Sequence, residues 1–247
     1  MDAKFLRHGL RLRPWDDLEH PINMRYRPEH KAETHQKIVK DASRRVRAEG
    51  LNGAAVAAVM RDTGLTHGGF YKHFESKDDL LLESLREGFR EIIGNLVHIA
   101  KQSPPETAWK AIVKTYLSLE YCDNAERGCP LTALAPELAR VDKKMRAQVV
   151  AELVNYKDRM IPFMPGRRTA DKERAFFSIF STMIGAVSIA RMLPEPAMRE
   201  YVLASARDFL LHLLLISFVD GAGESCKSER RSQLLPTGLT TRSGLRE

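Results

Sequence analysis

The nine residues from Thr66 to Phe74 read Thr-His-Gly-Gly-Phe-Tyr-Lys-His-Phe. Phe70 and Phe74 stand one helical turn apart, so a short helix here turns both rings to the same side. If that side faces a core, Thr66, His67, Tyr71, Lys72 and His73 are left on or beside the exposed side, where hydroxyl, imidazole and ammonium groups can donate hydrogen bonds to DNA. The chemistry on offer is recognition rather than bond making. Gly68 and Gly69 stand between these groups, although each glycine costs a helix about 1 kcal/mol relative to alanine. Close backbone approach to the groove floor or the sugar-phosphate wall is the advantage that would offset this cost. His67, near the helix start, can donate to or accept from a base edge, or merely touch phosphate.

Such a helix needs a scaffold. Ala54 to Arg61 is a run of helix formers that Thr63-Gly64 ends, and Thr66 is placed to cap the next short helix. Asn52 and Gly53 lead into that run, and capping of its helix is left to one of them. Upstream, Ile38, Val39, Ala42 and Val46 form one face of a helix that begins near Ala32 and stops at Gly50. Downstream, Ser76-Lys77-Asp78-Asp79 resembles a capping box, and apolar residues from Leu80 to Leu96 keep helical spacing to about Ala100, before Ser103-Pro104-Pro105 breaks the pattern. Two short helices around a glycine turn, flanked by amphipathic helices, form a helix-turn-helix whose second short helix can enter a major groove.

Charge agrees with that reading. The formal net charge is +7. Met24 to Phe74 holds ten Lys/Arg against five Asp/Glu, a local excess of five, as expected of a surface that displaces counterions from a polyanion. The three cysteines, Cys122, Cys129 and Cys226, lack metal-ligand spacing and are too few for a disulfide scaffold, which fits a reducing compartment. No secretory signal is evident, and the apolar stretch Phe209 to Val219 is too short to span a bilayer, so a soluble cytoplasmic protein without a membrane partner is expected. There is no phosphate loop, zinc-protease motif or nucleophile elbow. The expectation is a protein that is not an enzyme and carries no metal or cofactor.

Further helices are expected near Glu106 to Cys122, Pro130 to Ala139, Asp142 to Phe163, Ala170 to Met192 and Pro196 to Val219, with no alternating strand pattern. The fold class is therefore all-α. A flexible extension over 1–30 precedes a helix-turn-helix domain with its connecting helix over 31–100. A helical domain covers 101–219, and a polar, Gly/Ser/Arg-rich tail over 220–247 reads as disordered.

Gly50 through Leu81, GLNGAAVAAVMRDTGLTHGGFYKHFESKDDLL, resembles the amino-terminal DNA-binding domain of the TetR family of bacterial regulators. The resemblance spans roughly Thr34 to Leu85; beyond it only the run of helices agrees. It implies a homodimer that represses transcription and releases a palindromic double-stranded operator when a small-molecule effector binds the carboxy-terminal domain. It also implies phosphate contacts at Tyr71 and Lys77, a weaker one at Thr34, and approach of Thr66 to Gly68 to base edges. Where the family often has Ser or Thr at the start of its second helix, this chain has Ala55. One phosphate contact is thereby missing, so more of the grip should fall on Tyr71, Lys77 and the basic first helix.

In the carboxy-terminal half, Ser178, Ser181, Gly185 and Ser188 form a stripe of small residues on one helix, while Phe176, Phe180, Met183 and Val187 form a stripe of large ones. With Phe209, Leu210, Leu213, Leu214 and Phe218 of the next helix, these faces are expected to pair with a second subunit through Ser181, Gly185, Ser188, Phe209 and Leu213. An effector pocket needs apolar walls with polar tips, for which Trp109, Tyr116, Tyr121, Tyr156, Met160, Phe163 and Phe177 are the candidates. Each could equally be core. A thiol switch between Cys122 and Cys129 competes with two buried inert thiols, and His212 reads as a hydrogen-bonded core or interface histidine. The competing functional readings are a DNA-binding or adaptor protein without an effector, and a helical enzyme.

Overall fold

A computed structural model describes residues 28–64 and 66–220, with the side chains of Pro28, Ala54, His67 and residues 213–220 outside the description. Most of the expected flexible extension and disordered tail thus lies outside the described residues. Within them the chain is all-helical. The first helix, α1, runs Pro28–Glu49, starting earlier than the periodicity of its apolar face indicated. It ends at Gly50, whose φ of 80° lies in the left-handed region that glycine adopts without strain.

Next comes a 3₁₀ turn over Leu51–Ala54 and then α2, Val56–Asp62. Here the expected start is corrected. Ala55 is itself the N-cap of α2, without a side-chain hydrogen bond, so neither Asn52 nor Gly53 caps it. Gly64, with φ 75°, makes the turn, and Thr66 to Lys72 follows as a 3₁₀ helix over His67–Lys72 rather than an α-helix. Thr66 occupies the N-cap but makes no side-chain cap bond. Two glycines in six residues leave too little helix propensity to settle the tighter geometry into an α-helix.

The long helix α3, Lys77–Lys101, begins where the capping signal placed it. Ser76 Oγ accepts from Asp79 N at 3.1 Å and donates to the Asp79 carboxylate at 2.9 Å. The reciprocal half of the box is therefore a hydroxyl–carboxylate bond. After the Ser103-Pro104-Pro105 break, the single helix expected up to Cys122 is two, α4 Ala108–Tyr116 and α5 Leu119–Asp123. Ser118 interrupts them by accepting from Tyr121 N and capping α5. The remainder is α6 Pro130–Leu138, α7 Lys143–Met160, a 3₁₀ turn Ile161–Phe163, α8 Thr169–Met192 and α9 Pro196–Asp220.

Three apolar clusters hold these elements. Ile38, Val39, Ala42, Val59, Met60, Phe70, Phe74 and Leu80 tie α1, α2, the 3₁₀ helix and the start of α3 into one small core. Val46, Leu81, Leu85, Leu134, Leu138, Met145 and Val149 join α1 and α3 to α6 and α7. The largest cluster spans α3, α4, α7, α8 and α9. By length and composition α8 is apolar enough to cross a bilayer, unlike the shorter stretch Phe209 to Val219. Its Phe176, Ile179, Phe180, Met183 and Val187 are buried in this cluster instead. Those large residues find their partners within the chain, which corrects the expectation that a second subunit covers them.

Candidate nucleic-acid interface

Phe70 and Phe74 are 2% and 3% exposed and stack at 5.3 Å, pinning the 3₁₀ helix to α1 and α2. Their inward placement decides what faces out. Tyr71 is 69% exposed, its ring edge-on to Phe70 at 5.2 Å. Thr66, Gly68 and Lys72 are exposed as well, while Gly69 is half-buried. The His67 backbone opens this helix, and its side chain is outside the description. Lys77 is exposed at the first turn of α3, three residues after the buried Phe74.

His73 differs from the sequence expectation. It is half-buried, with its ring 5.9 Å from that of His35 and 6.3 Å from that of Phe74, and its Nδ1 is buried without a hydrogen-bond partner. Burial, then the neighbouring His35, Lys31 and Lys72, hold its pKa below the ordinary histidine value. A neutral imidazole turned toward α1 serves the packing of the three helices more directly than an outward contact. His35 itself stacks on Phe74 at 4.6 Å and meets Glu83 Oε2 at 2.6 Å through Nε2.

The basic first helix is also more inward-looking than its composition suggests. Arg45 donates to Gly53 O, Glu49 and Asp62, clamping α1 to α2. Lys37 Nζ donates to Thr63 O at 3.4 Å, at the carbonyl end of α2 where a cation is favoured. Arg47 is 3% exposed and donates to Ser43 O at 3.1 Å, Gly128 O at 3.2 Å and Glu91 Oε2 at 2.7 Å. Arg45 and Arg47 are thus structural, whereas Lys31, Lys37, Lys40 and Arg44 stay exposed on α1. Thr34, half-exposed, donates to His30 O at 2.8 Å.

Residues 38–84 match the family model described as bacterial regulatory proteins, tetR family. The amino-terminal domain is that of a TetR-family transcriptional regulator. The fold over about three quarters of the chain agrees. A TetR transcriptional regulator from Chloroflexus aurantiacus superposes with a TM-score of 0.61 at 22% identity, covering 74% of this chain and 97% of that one. Reduced NemR of E. coli gives 0.60 at 13% identity, over 72% and 95%. FadR of Bacillus subtilis, solved with stearoyl-CoA, gives 0.55 at 17% identity, over 73% and 97%. Among curated proteins no match is found. The protein is a DNA-binding transcriptional regulator.

The regulator's carboxy-terminal helices redistribute the expected pocket residues. Trp109, Tyr116, Tyr156 and Met160 are buried in the large cluster, and Phe163 packs against it half-buried. Phe177, 50% exposed, lies on the outer face of α8 and is corrected out of any internal pocket. Of the seven, Tyr121 alone lines a cleft of about 330 Å³ between α3, α4, α5 and the 124–127 turn. Its floor is Ile92, Leu96 and Ile99, and its rim includes Asn95, His98, Asn124 and Arg127. Ile92 and Leu96 of α3 are core residues that also line this cleft, a double use that helical periodicity alone does not show.

The expected dimer residues divide too. Ser181 is exposed, Gly185 is half-buried and Phe209 is 56% exposed, but Ser188 Oγ donates to Thr132 O at 2.9 Å, facing α6 of the same chain. Leu213 lies where side chains are outside the description. Cys122 and Cys129 are buried free thiols, and desolvation pushes both thiol pKa values up, opposite to what a reactive thiolate needs. His212 is exposed rather than core, its Nδ1 meeting Asp208 O at 2.8 Å. Among the described residues no cluster of three or more metal-ligating side chains occurs.

Two contacts had no signature in the sequence. Besides the Arg47–Gly128 bond, Glu137 of α6 accepts from Leu51 N at 2.7 Å, just ahead of α2. Both run from the carboxy-terminal helices into the helix-turn-helix, and each joins residues more than eighty positions apart.

Proposed function

We propose that this regulator is a homodimeric repressor that leaves a palindromic operator when a small molecule binds its carboxy-terminal helices, and that it works in the cytoplasm. The observation that carries the reading is the pair of bonds from Arg47 to Gly128 O and from Leu51 N to Glu137. They give the carboxy-terminal half a direct hold on the end of α1 and on the start of its connection to α2. A ligand that favours a different arrangement of those helices would then weaken DNA binding by its differential affinity for the two states.

On this reading Thr66, His67 and Gly68 approach base edges, Tyr71, Lys72 and Lys77 contact phosphate, and Thr34 flanks the backbone. His73 supports the helix from behind. The dimer surface is the outer face of α8 and α9, where Phe177, Ile189, Met192, Met198, Tyr201 and Phe209 are all exposed. Six large apolar residues on one pair of helices are more than scattered surface positions require. The stearoyl-CoA bound to Bacillus subtilis FadR is a precedent for an organic ligand on this fold.

Footprinting on DNA upstream of the regulator's own gene, with and without metabolite extract, tests the reading. Protection that extract abolishes supports it. Protection that extract leaves intact favours a DNA-binding protein without an effector, and absence of specific protection refutes operator recognition at that site.

A further inference from the structure

The 330 Å³ cleft carries, over its apolar floor of Ile92, Leu96 and Ile99, two opposite charges in its lining, Glu120 and Arg127. Both residues are exposed, and neither side chain forms an ion pair or hydrogen bond with the other or with any other described residue. Their neighbours are engaged. Asp123 accepts from Arg199 Nη1 of α9 at 2.7 Å, Cys122 O accepts from Arg191 Nε of α8 at 2.9 Å, and the Tyr121 hydroxyl accepts from Cys129 N at 2.8 Å. The Tyr121 ring also packs on Tyr116, with centroids 4.3 Å apart. The segment that bears Glu120 and Arg127 is thus tied down on both sides of each charge, while the charges themselves are left for something else. A site with an unpaired cation, an unpaired anion and an apolar floor is complementary to a molecule that carries both charges on an apolar body.

We propose that this cleft binds a small zwitterion of the amino-acid type with an apolar side chain, its carboxylate on Arg127, its ammonium on Glu120 and its side chain on Ile92, Leu96 and Ile99. The proposal rests on the effector-release reading above. A guanidinium pairs with a carboxylate through two parallel N–H bonds, and a glutamate accepts from an ammonium. Asn95 and Asn124, in the same lining, offer amide groups to the lone pairs and protons that remain. The volume is at the small end of ligand pockets, which run from about 300 to 1,000 Å³, and so suits one such molecule rather than a long acyl chain. Arg127 closes the 3₁₀ turn Ala125–Arg127, which packs against α1, and the next carbonyl along the chain, Gly128 O, accepts from Arg47 of α1. A ligand that draws Arg127 over the cleft therefore pulls on the segment that anchors the DNA-binding helices.

Calorimetry on the full-length protein with phenylalanine, 3-phenylpropionate and 2-phenylethylamine as probes tests the site. The three share a phenyl ring on a two-carbon chain; the second lacks the ammonium and the third the carboxylate. Wild type should bind phenylalanine about tenfold more tightly than either, as one hydrogen bond to a charged group implies. Arg127→Gln should bind phenylalanine and 2-phenylethylamine alike, and Glu120→Gln should bind phenylalanine and 3-phenylpropionate alike. Both positions are exposed, so both variants should fold. Equal binding of the three probes by wild type, a preference that survives in the matching variant, or no binding of phenylalanine at about 1 mM would each overturn the proposal. Release of operator DNA is read separately by anisotropy. Zwitterion preference without release upholds the site and counts against effector release, whereas release by phenylalanine that both variants retain counts against the site alone.

Discussion

Gly68→Ala separates what the fold requires from what DNA requires. An ideal Cβ at Gly68 meets nothing within 4 Å, and the residue does not lie among the glycines with positive φ. The folded protein therefore accepts alanine, and the unfolded chain loses freedom, so stability should rise by about 0.4–1 kcal/mol. Gly69 is the internal control. Its Cβ would sit 3.6 Å from Met60 Cε and 3.7 Å from Thr66 Oγ1, ordinary contacts on the side facing α2. If Gly68 exists to bring the backbone against the groove, its new methyl must lift the helix away, at a cost comparable to overpacking, about 1–3 kcal/mol per half-site. One half-site alone then weakens binding from about fivefold to more than a hundredfold, since 1.4 kcal/mol is tenfold. Gly69→Ala should change affinity by no more than about twofold. Anisotropy with labelled operator at one fixed salt concentration, alongside urea unfolding of each variant, measures both quantities. A Gly68→Ala protein that is more stable and binds operator as tightly as wild type would refute the close-approach argument.

Further outcomes follow from the same geometry. Arg47→Met removes three hydrogen bonds and strands Gly128 O; a fully buried pair broken this way costs about 3–5 kcal/mol, and because the Glu91 side chain is 31% exposed and can rehydrate, about 2–3 kcal/mol is expected from urea midpoints. A loss below 1 kcal/mol would show that the bonds do not join the two halves. His73 has a depressed folded pKa, so its contribution to stability is complete above the unfolded value near 6.5 and is lost as pH falls through the lower folded value. Thermal unfolding between pH 7 and 5 should fall more steeply for wild type than for His73→Gln, and equal slopes would remove His73 as the cause. Tyr71→Phe keeps the edge contact with Phe70 but deletes the hydroxyl, and should weaken binding uniformly across operator variants. Lys77→Ala should lower the salt dependence of log affinity by about one; an unchanged slope excludes a phosphate contact there.

The helix-turn-helix was legible because its determinants are local. Spacing put Phe70 and Phe74 on one face, Gly64 marked the turn, and Ser76 with Asp79 marked the start of α3. What failed nearby failed for a local reason as well: two glycines make the recognition segment 3₁₀ rather than α, and Ala55 and Thr66 cap by position without a side-chain bond. The break at Ser118 was hidden because serine is compatible with a helix interior and becomes a stop only when its side chain captures Tyr121 N.

Composition and periodicity, acting over a few residues at a time, determined the helices, the inward pair Phe70 and Phe74, and the surface left for DNA. Only the tertiary structure decided how distant residues are used. It turned Arg47 from a phosphate candidate into a buried tie to Gly128, set Ser188 against Thr132 instead of a second subunit, and sealed Tyr156 in the core with an unpaired hydroxyl. The physical reason is range. A helix face is fixed by neighbours three and four positions away, whereas burial and hydrogen-bond satisfaction depend on which segments, tens of residues apart, the folded chain brings together.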